Sequence, residues 1–371
     1  MYNLNQIKLK YRTETTTRLD NVSDADYFGP KYKDYVSNSL LKLINPEEGG
    51  SPTKFLTGYT GGMNGAALEL GSAVHQMILE KGKYYVNDVE KPAGKVAQVM
   101  ESYHRLLSEE YSPDKAILLA CKECDYYTSN LTQKRIDNVL EAGKVYLEHL
   151  KAVSECIGCI TLTSEQNVKL NACLKSVTEN QLIMKLLEPG CPSYNEDVMT
   201  MQVQASMDSP NPDKFDDEVI VFSLKAKIDN WSVDVENKIL TLNDLKTTGA
   251  SIATFAGTTF EVGGLDGNVY TKRAEGSFQK FHYYRQMAMY AFILKSYAEH
   301  EYGFDDSWTF NVNMLVVETN APYLSHVFAV GPQWLSKGDF EFTTLLKRLA
   351  FHKVHGFDTF TDINLKTITS I

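Results

Sequence analysis

From residue 37 to about residue 188 apolar positions recur at three and four, the period of an amphipathic helix. The spacing predicts helices over Ser39–Asn45, Ala66–Lys81, Lys95–Glu110, Gln133–Val153 and Ser164–Leu187. Thr163-Ser164-Glu165-Gln166 supplies capping residues for the last of these. After Pro189-Gly190 the texture changes to short β-branched and aromatic runs, which predict strands over Val198–Ala205, Glu218–Ile228, Trp231–Val235 and Ile239–Leu245. A long helix over Phe278–Glu299, strands over Thr309–Thr319 and Leu324–Val330, and a last helix over Gln333–Phe351 complete the pattern. Met1–Tyr35, rich in Thr, Asn, Asp and Lys with little periodicity, reads as an irregular arm. The expected class is α/β, a mixed central sheet flanked by helices behind a mainly helical N-terminal half. With no repeat and no long linker, residues 36–371 read as one domain, helical over 36–188 and sheet-bearing over 189–371.

The composition changes this picture little. Of 371 residues 43% are apolar and 23% charged, and no apolar run approaches the roughly 18 residues of a membrane span. Met1–Thr17 is polar and lacks the apolar stretch of a signal peptide, so the expected location is cytoplasmic, with no membrane partner. The net charge of -10, from 37 basic and 47 acidic residues, argues against coating nucleic acid by counterion release. It leaves room for an enzyme that holds DNA in a local basic groove beside a carboxylate-lined metal site.

The stretch from Lys227 to Lys246 carries the most chemistry. With a turn centred on Glu236 and Asn237, Asp229 lies seven positions before it and Asp244 seven after, so the two sit opposite, their Cβ atoms about 5 Å apart. By strict alternation their face also bears Trp231, Val233, Val235, Leu240 and Leu242 and ends in Lys246. Two carboxylates and an ammonium at the mouth of an apolar face must hold each other or a cation. A salt-bridged strand end is one reading. The other is a site for a hard divalent ion, Mg²⁺ or Mn²⁺, with the lysine orienting an attacking water.

Three further features accompany the hairpin. Gly71-Ser72-Ala73-Val74-His75 lies on a predicted helix with Leu79-Glu80 following, Gln286-Met287-Ala288-Met289-Tyr290 lies on the long helix, and Ser37-Asn38-Ser39-Leu40 opens the ordered region. Together with Asp229 and Asp244-Leu245-Lys246-Thr247-Thr248 this order resembles the PD-(D/E)XK nuclease superfamily in its RecB-like branch. Within the branch it is similar to phage exonucleases of the exodeoxyribonuclease VIII (RecE) type, in the His helix with its Leu-Glu, the Asp-Leu-Lys-Thr-Thr run, and Val317-Glu318 followed by Ala321-Pro322-Tyr323. The similarity runs from about Ser37 to about Val330.

The resemblance implies a restriction-endonuclease-like fold. It implies that His75, Asp229 and Asp244 ligate one or two Mg²⁺ or Mn²⁺ ions with the Leu245 backbone carbonyl, and that Lys246 positions or activates the water. Gln286 and Tyr290, one helical turn apart, would contact the DNA backbone or brace the site. Glu196 matches an acidic residue that precedes the core sheet in such nucleases, with a solvated turn residue as the alternative. Glu80, about 140° round an α-helix from His75, is a weaker candidate for the same ion. Lys272, Arg273, Lys280, His282 and Arg285, with Tyr283 and Tyr284 among them, form a basic run that reads as a phosphate-contacting wall or as a solvated helix face.

The six cysteines include two C-x-x-C pairs, Cys121/Cys124 and Cys156/Cys159. Thirty-one residues separate the pairs, beyond the zinc-ribbon gap of about 15 to 20, which argues against zinc or an iron–sulfur cluster and for free thiols. The expected activity is that of a metal-dependent exonuclease digesting linear double-stranded DNA from an end. By resemblance its setting is recombination or phage DNA metabolism, as a homo-oligomer working with a single-strand annealing protein. An endonuclease or single-strand-specific nuclease on the same site, and a catalytically silent DNA-binding accessory protein, are the rival readings.

Overall fold

The β-branched and aromatic runs after Gly190 become neighbouring strands of one mixed sheet. The computed structural model describes residue 4 and residues 7–11, 13–58, 66–80, 84–87, 89, 91–155, 160–207, 219–263 and 269–357. In chain order the strands are β1 (Ile7–Tyr11), β2 (Thr17–Leu19), β3 (Tyr84–Asn87), β4 (Ile160–Thr163), β5 (Ser193–Met207), β6 (Ile220–Asp234), β7 (Ile239–Thr248), β8 (Thr258–Gly263), β9 (Val269–Ala274), β10 (Thr309–Glu318) and β11 (Ser325–Ala329). Among the described residues β1-β5-β6-β7-β10-β11 form the large sheet, with β2 also pairing with β5. Its pairs are antiparallel except β7 with β10. A parallel pair needs a crossover, and this one is made by the β8–β9 hairpin and the helix Tyr283–Tyr302.

The chain divides into two compact units, residues 1–64 with 172–371, and residues 65–171. In the first, the helix Tyr283–Tyr302 packs on β5, β6 and the helix Pro332–His355. Trp231, Val233, Leu240 and Leu242 of the apolar face expected of the hairpin are buried in one core with Met287, Ile293 and Leu294 of that helix and Leu346 and Leu349 of the next, whereas Val235 of the same face enters the turn and is 51% exposed. Each such side chain contributes about 1.5–3 kcal/mol by leaving water. Gly338 lets the two helices close up: a Cβ there would collide with the Tyr284 carbonyl and lie 2.7 Å from the Ala288 Cβ. The second unit has its own core, with Val99, Met100, Leu106, Ile117, Cys121 and Val139 drawn from the helices Lys95–Ser108, Pro113–Glu123 and Gln133–Glu155. There the capping residues act as a box before the helix that opens at Ser164: the Thr163 hydroxyl accepts the Gln166 N–H at 3.2 Å, and Gln166 Oε1 accepts the Thr163 N–H at 2.8 Å. No helix of the described residues is long and apolar enough to cross a membrane.

Several elements depart from the pattern. The first 35 residues are not irregular: β1 and β2 pair with β5, and Ile7 is 2% exposed. The runs before and after Asp229-Asn230 are one strand, β6, because those polar side chains find partners inside the sheet. The helix expected over Ser164–Leu187 breaks at Asn180, whose side chain accepts the Ile183 N–H and starts a new helix. The helix expected over Phe278–Glu299 breaks at His282, which takes a left-handed φ of 52°. The helix Pro113–Glu123 and the β8–β9 hairpin had no strong periodic signal.

Candidate active site

The site starts from the turn between β6 and β7. Val235–Lys238 is a four-residue turn in which the Asp234 carboxylate accepts the Asn237 N–H at 3.0 Å and the Asn237 amide at 2.8 Å, while Lys238 takes φ 54°. An Asx turn with a left-handed residue replaces the favoured two-residue hairpin loop. It sets the register Asp234↔Ile239 through Asn230↔Asn243, which the sequence spacing predicted. The ladder ends there, and the next residues, Asp229 on β6 and Asp244 on β7, are linked through Lys246, which lies 3.9 Å from the first and 2.6 Å from the second.

A row of amides, buried at Asn230, Asn243 and Asn313 and exposed at Asn195, locks that register on the neighbouring positions. Asn230 donates to Asn195 at 2.7 Å, Asn243 to Asn230 at 2.7 Å, and Asn313 to Asn243 at 2.9 Å, crossing β5, β6, β7 and β10. Beside the row lie the carboxylates. Asp229 Oδ2 accepts the Leu245 N–H at 2.8 Å, and Asp244 Oδ1 accepts the Gln286 Nε2 amide at 3.0 Å. Lys246 Nζ lies 2.6 Å from Asp244 and 3.9 Å from Asp229, with side chains 16%, 1% and 12% exposed respectively. The same ammonium is 3.4 Å from the Leu245 carbonyl and 5.6 Å from the Tyr283 ring centre. Burial pulls the Lys246 ammonium down, but Asp244 and Asp229 outweigh it and hold it above the ordinary lysine value. Burial pushes the Tyr290 phenol well up, with Tyr27, Asp244 and Asp229 adding to the effect, while its hydrogen bond with Gln286 opposes it.

Glu196 joins this group. It sits in β5 with a φ of 50°, rare for a residue with a side chain, between the pairs Asn195↔Asn230 and Asp197↔Ile228. Strain of this kind, about 1–3 kcal/mol, persists where surrounding contacts demand it. Here a Glu196 carboxylate oxygen comes within 4.8 Å of one from Asp229, and the side chain lies 2.5 Å from Lys227 Nζ. Lys227 also holds Asp24 at 2.6 Å. The alternation that put Asp229 and Trp231 on one face also places Lys227 there, so the signal for it was present. Asp24 and Tyr27 come from the segment read as an arm and had none.

The structure therefore brings together Asp229, Asp244, Leu245, Lys246, Gln286, Tyr290 and Glu196. It removes Arg285 from the expected DNA-facing wall: the side chain is 1% exposed and donates to Asn38 at 2.9 Å, Glu48 at 2.5 Å and Glu341 at 2.6 Å. Tyr284 is likewise buried, whereas Lys272, Arg273 and Lys280 are exposed. His75 and Glu80 belong to the second unit. The α-helix ends at His75, and Gln76–Glu80 is a π-helix, so the α-helical angle of about 140° between the two does not apply. Of the cysteines, Cys121 is buried and burial raises its thiol and that of Cys124, while Cys156 and Cys159 lie outside the described residues.

The donor set fits a hard divalent ion. Lys227 and Lys246 bring two positive charges to the four carboxylates they touch, Asp24, Glu196, Asp229 and Asp244. Glu196 and Asp229 offer carboxylate oxygens within 4.8 Å of each other, donors that suit Mg²⁺ or Mn²⁺. Glu48, His282 and Glu341 have ligand-type atoms within 4.8 Å of one another, but Arg285 is already bound to both carboxylates.

No family model matches the chain, and neither does any curated protein. Among solved structures, a protein from Eubacterium rectale described as a "putative exonuclease", known at 2.19 Å, is similar at 12% identity with a TM-score of 0.44, over 91% of this chain and 88% of that one.

Proposed function

We propose that the chain is a metal-dependent deoxyribonuclease that hydrolyses phosphodiester bonds at the Asp229–Asp244–Lys246 cluster. The observation that carries this reading is the meeting of two buried carboxylates and one ammonium at the end of the β6–β7 hairpin, with Gln286 bonded to one carboxylate. In the reading, Asp229, Asp244 and the Leu245 carbonyl hold Mg²⁺ or Mn²⁺, and Glu196 adds a carboxylate. When bound, the ion acts as a Lewis acid on the phosphate and lowers the pKa of a water. Lys246 orients that water, Gln286 fixes the Asp244 carboxylate, and Tyr290 backs the Gln286 amide. Exposed Lys272, Arg273 and Lys280 serve as phosphate contacts, supported by their place before Gln286 in the chain.

The substrate in this reading is linear double-stranded DNA digested from an end. The resemblance to exonucleases of the exodeoxyribonuclease VIII type supports that choice, along with a role in recombination or phage DNA metabolism, a homo-oligomeric state and a strand-annealing partner. The test is cleavage of labelled duplex with Mg²⁺, with and without excess chelator, while circular dichroism follows the fold. Cleavage that stops on chelation in a folded protein is expected; cleavage that persists without divalent metal contradicts the reading.

A further inference from the structure

Within the first unit lies a cavity of about 90 Å³ that the proposed reaction does not use, with Phe255, Phe278, Phe328 and Trp334 around it and Arg273 at its rim. Packed interiors leave few voids larger than a water, which needs only about 10–15 Å³. Four aromatic rings offer little to hydrogen-bond waters in such a space. The rings are held by one another: Phe255 lies 5.3 Å from Phe328, and Phe278 meets Trp334 edge-on at 5.3 Å. The Arg273 guanidinium stands 5.5 Å from the Trp334 ring centre on the exposed strand β9. A flat π-system carrying an anion matches these walls and this cation.

The place of the cavity selects among such ligands. Phe255 stacks at 6.1 Å on Tyr283, whose ring centre is 5.6 Å from Lys246 Nζ. At about 3.4 Å per stacked nucleotide, that path is within about four nucleotides of the Asp244–Lys246 cluster. We propose that this cavity seats one nucleobase of the cut DNA strand, within about four nucleotides of the cut phosphate, stacked against Trp334 and Phe328, with Arg273 on the phosphate that adjoins that base. The inference rests on the nuclease reading and extends it to a base subsite. The subsite does not read sequence: Gln279, the amide in its wall, has Oε1 accepting the Gly276 N–H at 2.9 Å and Nε2 donating to the Ala256 carbonyl at 2.8 Å. Stacking alone accepts any base, because every base has a π-face.

The test uses the full chain, with single-stranded oligonucleotides bound in chelator and duplex cleavage in Mg²⁺ measured in parallel. An abasic nucleotide is walked from the end of the oligonucleotide. Binding about 10- to 100-fold weaker at one position, and indifferent to which base is restored there, is the expected result. Trp334 fluorescence should be quenched by the intact oligonucleotide and not by the one abasic at that position, with Trp334→Phe identifying the signal. Arg273→Ala, on an exposed strand, should weaken binding where Trp334→Ala risks the fold. An enzyme that cleaves duplex yet shows no sensitive position, and no quenching, overturns the base subsite alone. A protein that neither binds nor cleaves DNA overturns the nuclease reading and the subsite with it.

Discussion

Burial alone would raise the Glu341 carboxyl, yet the His282 ring, Arg285 and Tyr284 outweigh it and hold the group down to about 2 from an ordinary 4.5. A carboxylate whose folded pKa lies below its unfolded one stabilises the fold in its ionised form. Its contribution is therefore complete above about pH 4.5 and is lost as pH falls toward 2. Acid unfolding followed by circular dichroism should show that loss, and Glu341→Gln should flatten the profile over the same interval. Arg285 is the partner whose removal matters most, since Arg285→Met leaves Glu48 and Glu341, 7% and 14% exposed, without their guanidinium. The expected loss is about 3–5 kcal/mol in urea denaturation; an unchanged midpoint would show that the cluster adds nothing. Residue type alone misled here. In the sequence Arg285 adjoins Gln286 in a basic run, and only the fold brings Glu48 and Glu341 from distant segments to meet it. In the proposed site, Gln286→Ala takes one hydrogen bond from the Asp244 carboxylate and should lower activity about 10- to 100-fold in a protein whose circular dichroism still shows the fold.

At the scale of elements, the asparagine row holds β5, β6, β7 and β10 in step and thereby fixes where the carboxylates fall. Asn243→Leu takes the acceptor from Asn313 and the donor from Asn230 inside the sheet, so each buried partner left without its bond should cost about 1–3 kcal/mol. Gly338→Ala forces a methyl against the Tyr284 carbonyl and should destabilise by about 1–3 kcal/mol, read as a lowered Tm. The hairpin was legible beforehand because alternation has a period of two and a buried face tolerates no slip. Its register from Asp234↔Ile239 to Asn230↔Asn243 followed from that, and with it the approach of Lys246 to the two carboxylates. The breaks at Asn180 and His282 were not legible, since each follows from a single local capping or left-handed residue inside an otherwise helical pattern. β1 and β2 were missed for another reason: they are short pieces held by pairing with β5, about two hundred positions away in the chain.

For the molecule as a whole, the carboxylate cluster gives part of the net charge of -10 a local meaning. Its negative charge is concentrated where a divalent ion would sit, while exposed basic residues lie on β9 and just before the long helix. Hydrolysis at the Asp229–Asp244–Lys246 cluster is decided by incubating end-labelled linear duplex and closed circular plasmid, each with Mg²⁺, with the native chain and with Lys246→Ala. The linear form alone should be degraded, and degradation should vanish in a variant whose circular dichroism is unchanged. Full activity in Lys246→Ala would contradict the proposed site, and cutting of the circle would contradict the exonuclease reading.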